Sequence, residues 1–165
     1  DKVILPGVGA FGDAVAKLRA TGLDSTVLEL AGEGKPLLGI CLGMQLLFER
    51  SFEYGEHAGL GLLSGSVVPL TSEVLGEPLK VPHMGWNTLD FRKESPLLEG
   101  IREGDSVYYV HSFFVPAGGQ TAASSRYGAA EVSGLVQKGN VFGTQFHPEK
   151  SGDVGLAILR AFAKL

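Results

Sequence analysis

Short apolar runs punctuated by glycine and proline organise the first third of the chain. Val3-Ile4-Leu5 is stopped by Pro6-Gly7 and predicts a buried strand entering a glycine loop, Gly7-Val8-Gly9. Ala14, Val15 and Leu18 then recur at helical spacing, with Asp13 placed to cap that helix. Ser25 is placed to cap a second helix running through Leu30 and ended by Gly32 and Gly34. Leu37-Leu38-Gly39-Ile40 predicts a second buried strand. It runs straight into Cys41, and Leu42 to Arg50 predicts a helix.

The pattern then changes. Val67-Val68, Thr88-Leu89-Asp90-Phe91, Val107-Tyr108-Tyr109-Val110 and Thr121-Ala122-Ala123 predict strands between turns. Glu131 to Val136 and Val141 to Phe146 flank Gly139-Asn140, a hairpin signature. Val154, Ile158, Phe162 and Leu165 share one face of a closing helix, with Leu159 beside them. Helix–strand alternation early, strands in the middle and a helix last predict an α/β sheet with an antiparallel portion.

Composition narrows the class. The chain has 165 residues, 44% hydrophobic and 19% charged, which predicts a single globular domain over 1–165. A formal net charge of -4 argues against a nucleic-acid partner. No apolar run reaches the roughly 18 residues of a membrane span, and the chain does not open with a signal peptide. One cysteine cannot form an internal disulfide, which points to a reducing cytoplasmic setting.

That cysteine is the centre of the candidate chemistry. A lone buried cysteine is by default an inert small hydrophobe, but Cys41 lies where a strand turns into a helix, flanked by Gly39 and Gly43. This is the pattern of a nucleophile elbow, in which small residues let two backbones approach while the nucleophile projects. A helix starting at Leu42 would turn its N-terminus to the sulfur and favour the thiolate, and the Leu42 N–H would face an oxyanion. His147 follows another apolar run, at a strand end where active sites of open α/β sheets gather. Glu149 would hold its imidazole in one tautomer, so Cys41, His147 and Glu149 supply nucleophile, base and orienter. His57 reads as solvated in a Gly-rich loop, and His83 and His111 as ordinary satisfied polar groups. No metal-ligand spacing occurs, and no cofactor is expected. The Gly7-Val8-Gly9 loop lacks the third glycine and the lysine of nucleotide cradles, and serves better as a source of backbone N–H for an oxyanion.

Gly39-x-Cys41-x-Gly43-x-Gln45 together with Phe146-His147-Pro148-Glu149 resembles the paired signature of the class I glutamine amidotransferases. Leu5-Pro6-Gly7-Val8-Gly9-Ala10-Phe11, Pro82-His83-Met84-Gly85-Trp86-Asn87 and Val110-His111-Ser112-Phe113 resemble, within them, the family of glutaminase subunits of imidazole glycerol phosphate synthase. Relatives serving anthranilate, carbamoyl phosphate, GMP or pyridoxal phosphate synthesis carry other sequences at Gly-Trp-Asn. The resemblance implies a flavodoxin-like fold, an open mixed and mainly parallel sheet with helices on both faces. It also implies glutamine hydrolysis through a cysteine thioester, and transfer of ammonia to a (β/α)8-barrel cyclase subunit of histidine biosynthesis. Residue by residue it makes Cys41 the nucleophile, His147 the base and acid, and Glu149 the orienter. Gly9 and Leu42 become oxyanion donors, in a Gly7-Val8-Gly9 strand that turns over to form the hole. Gln45 and Glu53 hold the glutamine head group, with Ser112 and Phe113 contributing backbone; Phe113 stands where the family more often has tyrosine. Met84, Trp86, Asn87 and Lys150 face the partner; for Trp86 the residue-type alternative is a core position. The family opens with a strand–helix–strand segment before the glycine loop, which the resemblance implies is missing here. The rival readings are a class I subunit of another synthase, a non-catalytic scaffold fragment, and a cysteine hydrolase of similar fold.

Overall fold

In the computed structural model, which describes residues 1–165, the apolar runs become twelve strands and five α-helices. Strand β1 (Val3–Leu5) leads through the glycine loop to helices α1 (Phe11–Thr21) and α2 (Leu23–Gly32). Strand β2 (Leu37–Ile40) leads through Cys41 to α3 (Leu42–Leu46). There follow β3 (Phe48–Ser51), β4 (His57–Ala58), β5 (Leu63–Pro69), the short helix α4 (Ser72–Leu75), β6 (His83–Thr88) and β7 (Asp90–Phe91). Strands β8 (Ser106–His111), β9 (Phe113–Phe114), β10 (Thr121–Tyr127), β11 (Ala130–Lys138) and β12 (Val141–Thr144) precede the closing helix α5 (Gly152–Ala163).

The main sheet has the order β1-β2-β12-β11-β10-β7, and it is open. Its parallel pairings are β1 with β2 and β2 with β12; the rest are antiparallel. A second sheet runs β4-β3-β5-β9, and β6 pairs with β8 as a separate ribbon. The expected open mixed sheet is present, but antiparallel pairings outnumber parallel ones. The reason is connection length. The two-residue turn Gly139-Asn140 returns β12 beside β11, whereas parallel neighbours need long crossovers. Gly139 takes φ 60° there, and the Asn140 amide donates to the Ala31 and Lys35 carbonyls at 2.9 and 2.8 Å, pinning the hairpin to the end of α2.

Strand alternation divides the core. Leu38 of β2 packs with Leu135, Phe142 and, from α5, Ile158 and Phe162. Its neighbour Leu37 packs with Val136, Val141 and, from α2, Val27 and Ala31. Consecutive side chains point to opposite faces, so helices cover both sides of the sheet as expected. Each such buried Leu or Phe contributes about 1.5–3 kcal/mol.

Several local expectations are corrected. Strand β1 forms, but at the sheet edge, with Ile4 51% exposed rather than buried. Helix α1 begins at Phe11, so Asp13 sits in its first turn, where it complements the dipole without capping. Ser25 lies inside α2, which starts on Gly22 in the left-handed region. The helix after Cys41 stops at Leu46 instead of reaching Arg50. The carbonyls of Leu46, Leu47 and Phe48 accept from Leu60, Leu63 and Gly61, and Phe48–Ser51 pairs with β5; this cross-chain ladder replaces further helical turns. The Thr88–Phe91 run is split at Leu89, β12 ends at Thr144 rather than Phe146, and Leu165 lies beyond α5, largely exposed.

Candidate active site

Strand β2 is hydrogen-bonded between two parallel neighbours, and the residue that follows it, the candidate nucleophile, is fixed by the next donor: the Cys41 N–H donates to the Thr144 carbonyl at 2.7 Å. Cys41 then adopts φ 54° and ψ -111°, a conformation that L-residues rarely take. The flanking glycines explain how the chain tolerates it. A Cβ at Gly43 would lie 1.7 Å from the Leu5 carbonyl oxygen, and one at Gly39 would lie 2.6 Å from the Gly43 carbonyl oxygen. The elbow therefore forms by close passage of β1, β2 and α3, as the small residues predicted.

His147 is held from three sides. Its N–H donates to the Tyr108 carbonyl at 3.0 Å, and its carbonyl accepts from the Ser151 hydroxyl at 2.6 Å. Ser151 in turn accepts from the Tyr108 N–H at 2.9 Å, so one hydroxyl ties the histidine segment to β8. The His147 Nδ1 meets Glu149 Oε1 at 2.5 Å. The carboxylate accepts, so Nδ1 carries the proton and the neutral ring's Nε2 is free to take one. Helix α5 approaches this turn closely enough that a Cβ at Gly155 would lie 1.8 Å from the Pro148 carbonyl oxygen.

Cys41 and His147 line one cavity of about 360 Å³, together with Val8, Gly9, Leu42, Gln45, Glu53, Tyr54, Pro82, Val110, His111, Ser112 and Phe113. Gly7 does not line it, but packs against the start of α3, with the Gly43 nitrogen and Leu42 Cβ each 3.4 Å from its would-be Cβ. Glu149 stands behind His147. Three larger cavities, two of about 700 and 750 Å³ around Lys93 and Glu94 and one of about 500 Å³ beside Arg160 of α5, hold none of these residues. Chemistry, not size, selects the smaller one.

Burial pushes the Cys41 thiol up to about 11, against the opposing pull of the Leu42 backbone N–H and the Gln145 amide. The expected thiolate stabilisation at the start of α3 is present in direction, but desolvation outweighs it. The Glu53 carboxyl is also raised by burial, although it accepts the Phe11 N–H at 3.2 Å and lies near His57. Through that bond Glu53 satisfies the first turn of α1 and anchors the far end of the glycine loop. His57 is not a free solvated residue. Its ring lies 6.5 Å from that of Phe11 and against Gly12. No group of three or more His, Cys, Asp or Glu side chains is placed to hold a metal.

Sequence reasoning left Gln145 and Ser151 without a role. Gln145 is fully buried; its amide donates toward Cys41 Sγ at 3.7 Å and its carbonyl oxygen accepts from Gln45 at 3.0 Å. Gln45 also donates to the Phe113 carbonyl at 3.1 Å, so its amide braces the cavity wall. The available signal was a polar residue closing an otherwise apolar run. Outside the cavity, Met84 and Trp86 project from β6 at 61% and 59% exposure, Trp86 edge-on to Tyr108, so Trp86 is not a core residue. Lys150 is exposed. Asn87 is not turned outward with them: its amide donates to the Arg126 carbonyl at 2.8 Å and its Oδ1 accepts the Thr88 N–H.

The family model for class-I glutamine amidotransferases matches residues 1–164. The chain belongs to the class-I glutamine amidotransferases. Among similar proteins, the imidazole glycerol phosphate synthase subunit HisH of Wolinella succinogenes is 54% identical over 167 residues, spanning 100% of this chain and 81% of that protein. The subunit of the same name from Oceanobacillus iheyensis is 50% identical, spanning 100% and 80%. In fold, the amidotransferase matches the structure of PurLQS from Thermotoga maritima with a TM-score of 0.69 at 22% identity, covering 99% of this chain and 82% of that one.

Proposed function

We propose that this amidotransferase is the glutaminase subunit of an imidazole glycerol phosphate synthase, acting in histidine biosynthesis as one domain over 1–165. Identity of 50–54% across the full chain to subunits of that name supports the choice of synthase. A single cavity lined by both Cys41 and His147 carries the reading of the chemistry.

His147 takes the Cys41 thiol proton as sulfur attacks the side-chain carbonyl of glutamine. The oxyanion of the tetrahedral intermediate is met by the backbone N–H groups of Leu42 and Gly9. His147, held by Glu149, returns the proton to the departing nitrogen, and ammonia leaves a glutamyl thioester on Cys41. Water, deprotonated by His147, opens the thioester to glutamate and free thiol. Gln45, Glu53, Ser112 and Phe113 line the space for the glutamine head group and backbone. Ammonia in bulk water is mostly protonated and then cannot attack, which gives the reason to deliver it directly to a (β/α)8-barrel cyclase subunit. Met84, Trp86 and Lys150 form the face offered to that partner, with exposed Trp86 as anchor. A cytoplasmic location goes with this biosynthetic role.

A partly buried thiol pushed up to about 11 supports weak turnover in the isolated chain. The test is glutamate release from glutamine with and without the cyclase subunit, for the unmodified chain and Cys41→Ala. Strong stimulation by the partner and complete loss in Cys41→Ala are expected. Retained hydrolysis in that variant would refute the assignment.

A further inference from the structure

The hydrogen bonds around His83 and His111 have only one self-consistent direction. His111 Nδ1 lies 2.9 Å from the Phe113 carbonyl oxygen, which can only accept, so Nδ1 carries the proton. The neutral ring then presents a bare Nε2, 2.8 Å from His83 Nδ1, and the hydrogen on that contact belongs to His83. His83 Nε2 is bare in turn and lies 3.3 Å from Asn87 Nδ2. The Asn87 amide orientation is fixed independently, because its Oδ1 accepts the Thr88 N–H at 2.8 Å and its other N–H goes to the Arg126 carbonyl. Every donor therefore points the same way, from β6 to the cavity wall.

We infer that Asn87, His83 and His111 form a one-way relay of hydrogen bonds that positions the Phe113 carbonyl, and with it the Ser112–Phe113 backbone lining the glutamine cavity. With Gln45 donating at 3.1 Å and His111 at 2.9 Å, both lone pairs of that carbonyl are taken, so the peptide cannot rotate without breaking two bonds. The relay requires both rings neutral, because a second proton on either would set two N–H groups against each other. Their surroundings agree. Both rings are buried, His83 stacks 4.7 Å from Tyr109 and 4.1 Å from Tyr127, and His111 faces Tyr109 and His147, with no carboxylate among these neighbours. Burial holds His83 down to about 4 and His111 to about 3. The relay also has a location. It starts on β6, the strand that displays Met84 and Trp86, and ends inside the cavity, so it joins the exposed face to the site by four contiguous groups.

This role rests on the glutaminase reading, and two measurements separate them. The first is ring-nitrogen NMR of the full chain labelled in histidine, alone and bound to the cyclase subunit. Both His83 and His111 are expected as the Nδ1–H tautomer, neutral at pH 7 and still neutral at pH 5.5. An Nε2–H tautomer or a charged ring at either position overturns the relay, and no variant need fold for that result. The second is kinetics of the complex. His111→Gln places its amide away from the Nδ1 position, and KM for glutamine is expected to rise about tenfold with kcat within twofold. His111→Asn, whose amide lies near the Nδ1 position, is expected to recover most of that rise. An unchanged KM in His111→Gln, or a loss confined to kcat, overturns the positioning role. Absence of glutamine turnover in the unmodified complex would overturn the glutaminase reading itself, while Nε2–H rings overturn the relay alone.

Discussion

Gly43→Ala tests the physical account of the elbow. The added Cβ would meet the Leu5 carbonyl oxygen at 1.7 Å, where ordinary contact begins near 3.4 Å. The obstacle is backbone, not a rotatable side-chain tip, so β1 and α3 must separate by about as much again. Strand β1 is held to β2 over only three residue pairs, Val3 to Leu5 against Leu37 to Gly39. A shift of that size breaks part of this ladder. Overpacking costs about 1–3 kcal/mol and each lost backbone bond about 1 kcal/mol, so a total loss of roughly 3 kcal/mol is expected. Leu5 also leads directly into Gly7-Val8-Gly9. Moving that loop takes Gly9 away from the oxyanion role proposed for it, and a drop in kcat of about 10²–10³ is expected. The assay is a urea midpoint together with glutamate release in the presence of the cyclase subunit. Gly32→Ala is the control, because a Cβ there meets nothing within 4 Å. Near-native stability and turnover in Gly43→Ala would refute the claim that close passage of β1 and α3 builds the site.

Other outcomes follow from the same geometry. The Cys41 thiol, pushed to about 11 by burial, should react slowly with iodoacetamide at pH 7.5, with a rate that climbs about tenfold per pH unit toward 11; a plateau already reached by pH 8 contradicts this. Folding stability should fall on acidification, because His83 and His111 resist protonation in the fold but titrate near 6.5 when unfolded. Their contribution is complete above pH 6.5 and is lost as pH drops toward about 4 for His83 and about 3 for His111, at roughly 1.4 kcal/mol per pH unit for each ring. Equal urea midpoints at pH 7 and pH 5 would show that the rings are not held neutral. Ser151→Ala should cost about 1–3 kcal/mol by leaving the Tyr108 N–H without its partner, and should lower kcat by loosening His147; unchanged turnover removes the serine from the account. Gln145→Leu should raise the pH midpoint of Cys41 alkylation, since the amide favours the thiolate; a lower midpoint would contradict the assigned bond.

The elements most legible in the sequence were those whose pattern and partner agree. The hairpin about Gly139-Asn140 and helix α5 could be read directly, because two strands joined by a tight turn, or one amphipathic face, carry their own signal. The helix expected from Leu42 to Arg50 failed because its local spacing was sound but the Leu60–Leu63 segment leading into β5 offers Leu46 to Phe48 a competing set of backbone donors. Gln145 was passed over because a single buried amide has no periodicity; only its partners Gln45 and Cys41, distant in sequence, give it meaning.

The sequence by itself determined the family and the α/β character, and it singled out the candidate reacting side chains, since a cysteine between two glycines and a His-Pro-Glu triplet are local patterns of residue type. The tertiary structure decided what lies between them. Folding sets Cys41 and His147 on one cavity, partly buries the thiol and so raises its pKa, turns Asn87 inward, and joins His83 to His111. Burial and hydrogen-bond direction depend on which strands become neighbours, and that is a property of the folded chain rather than of any segment within it.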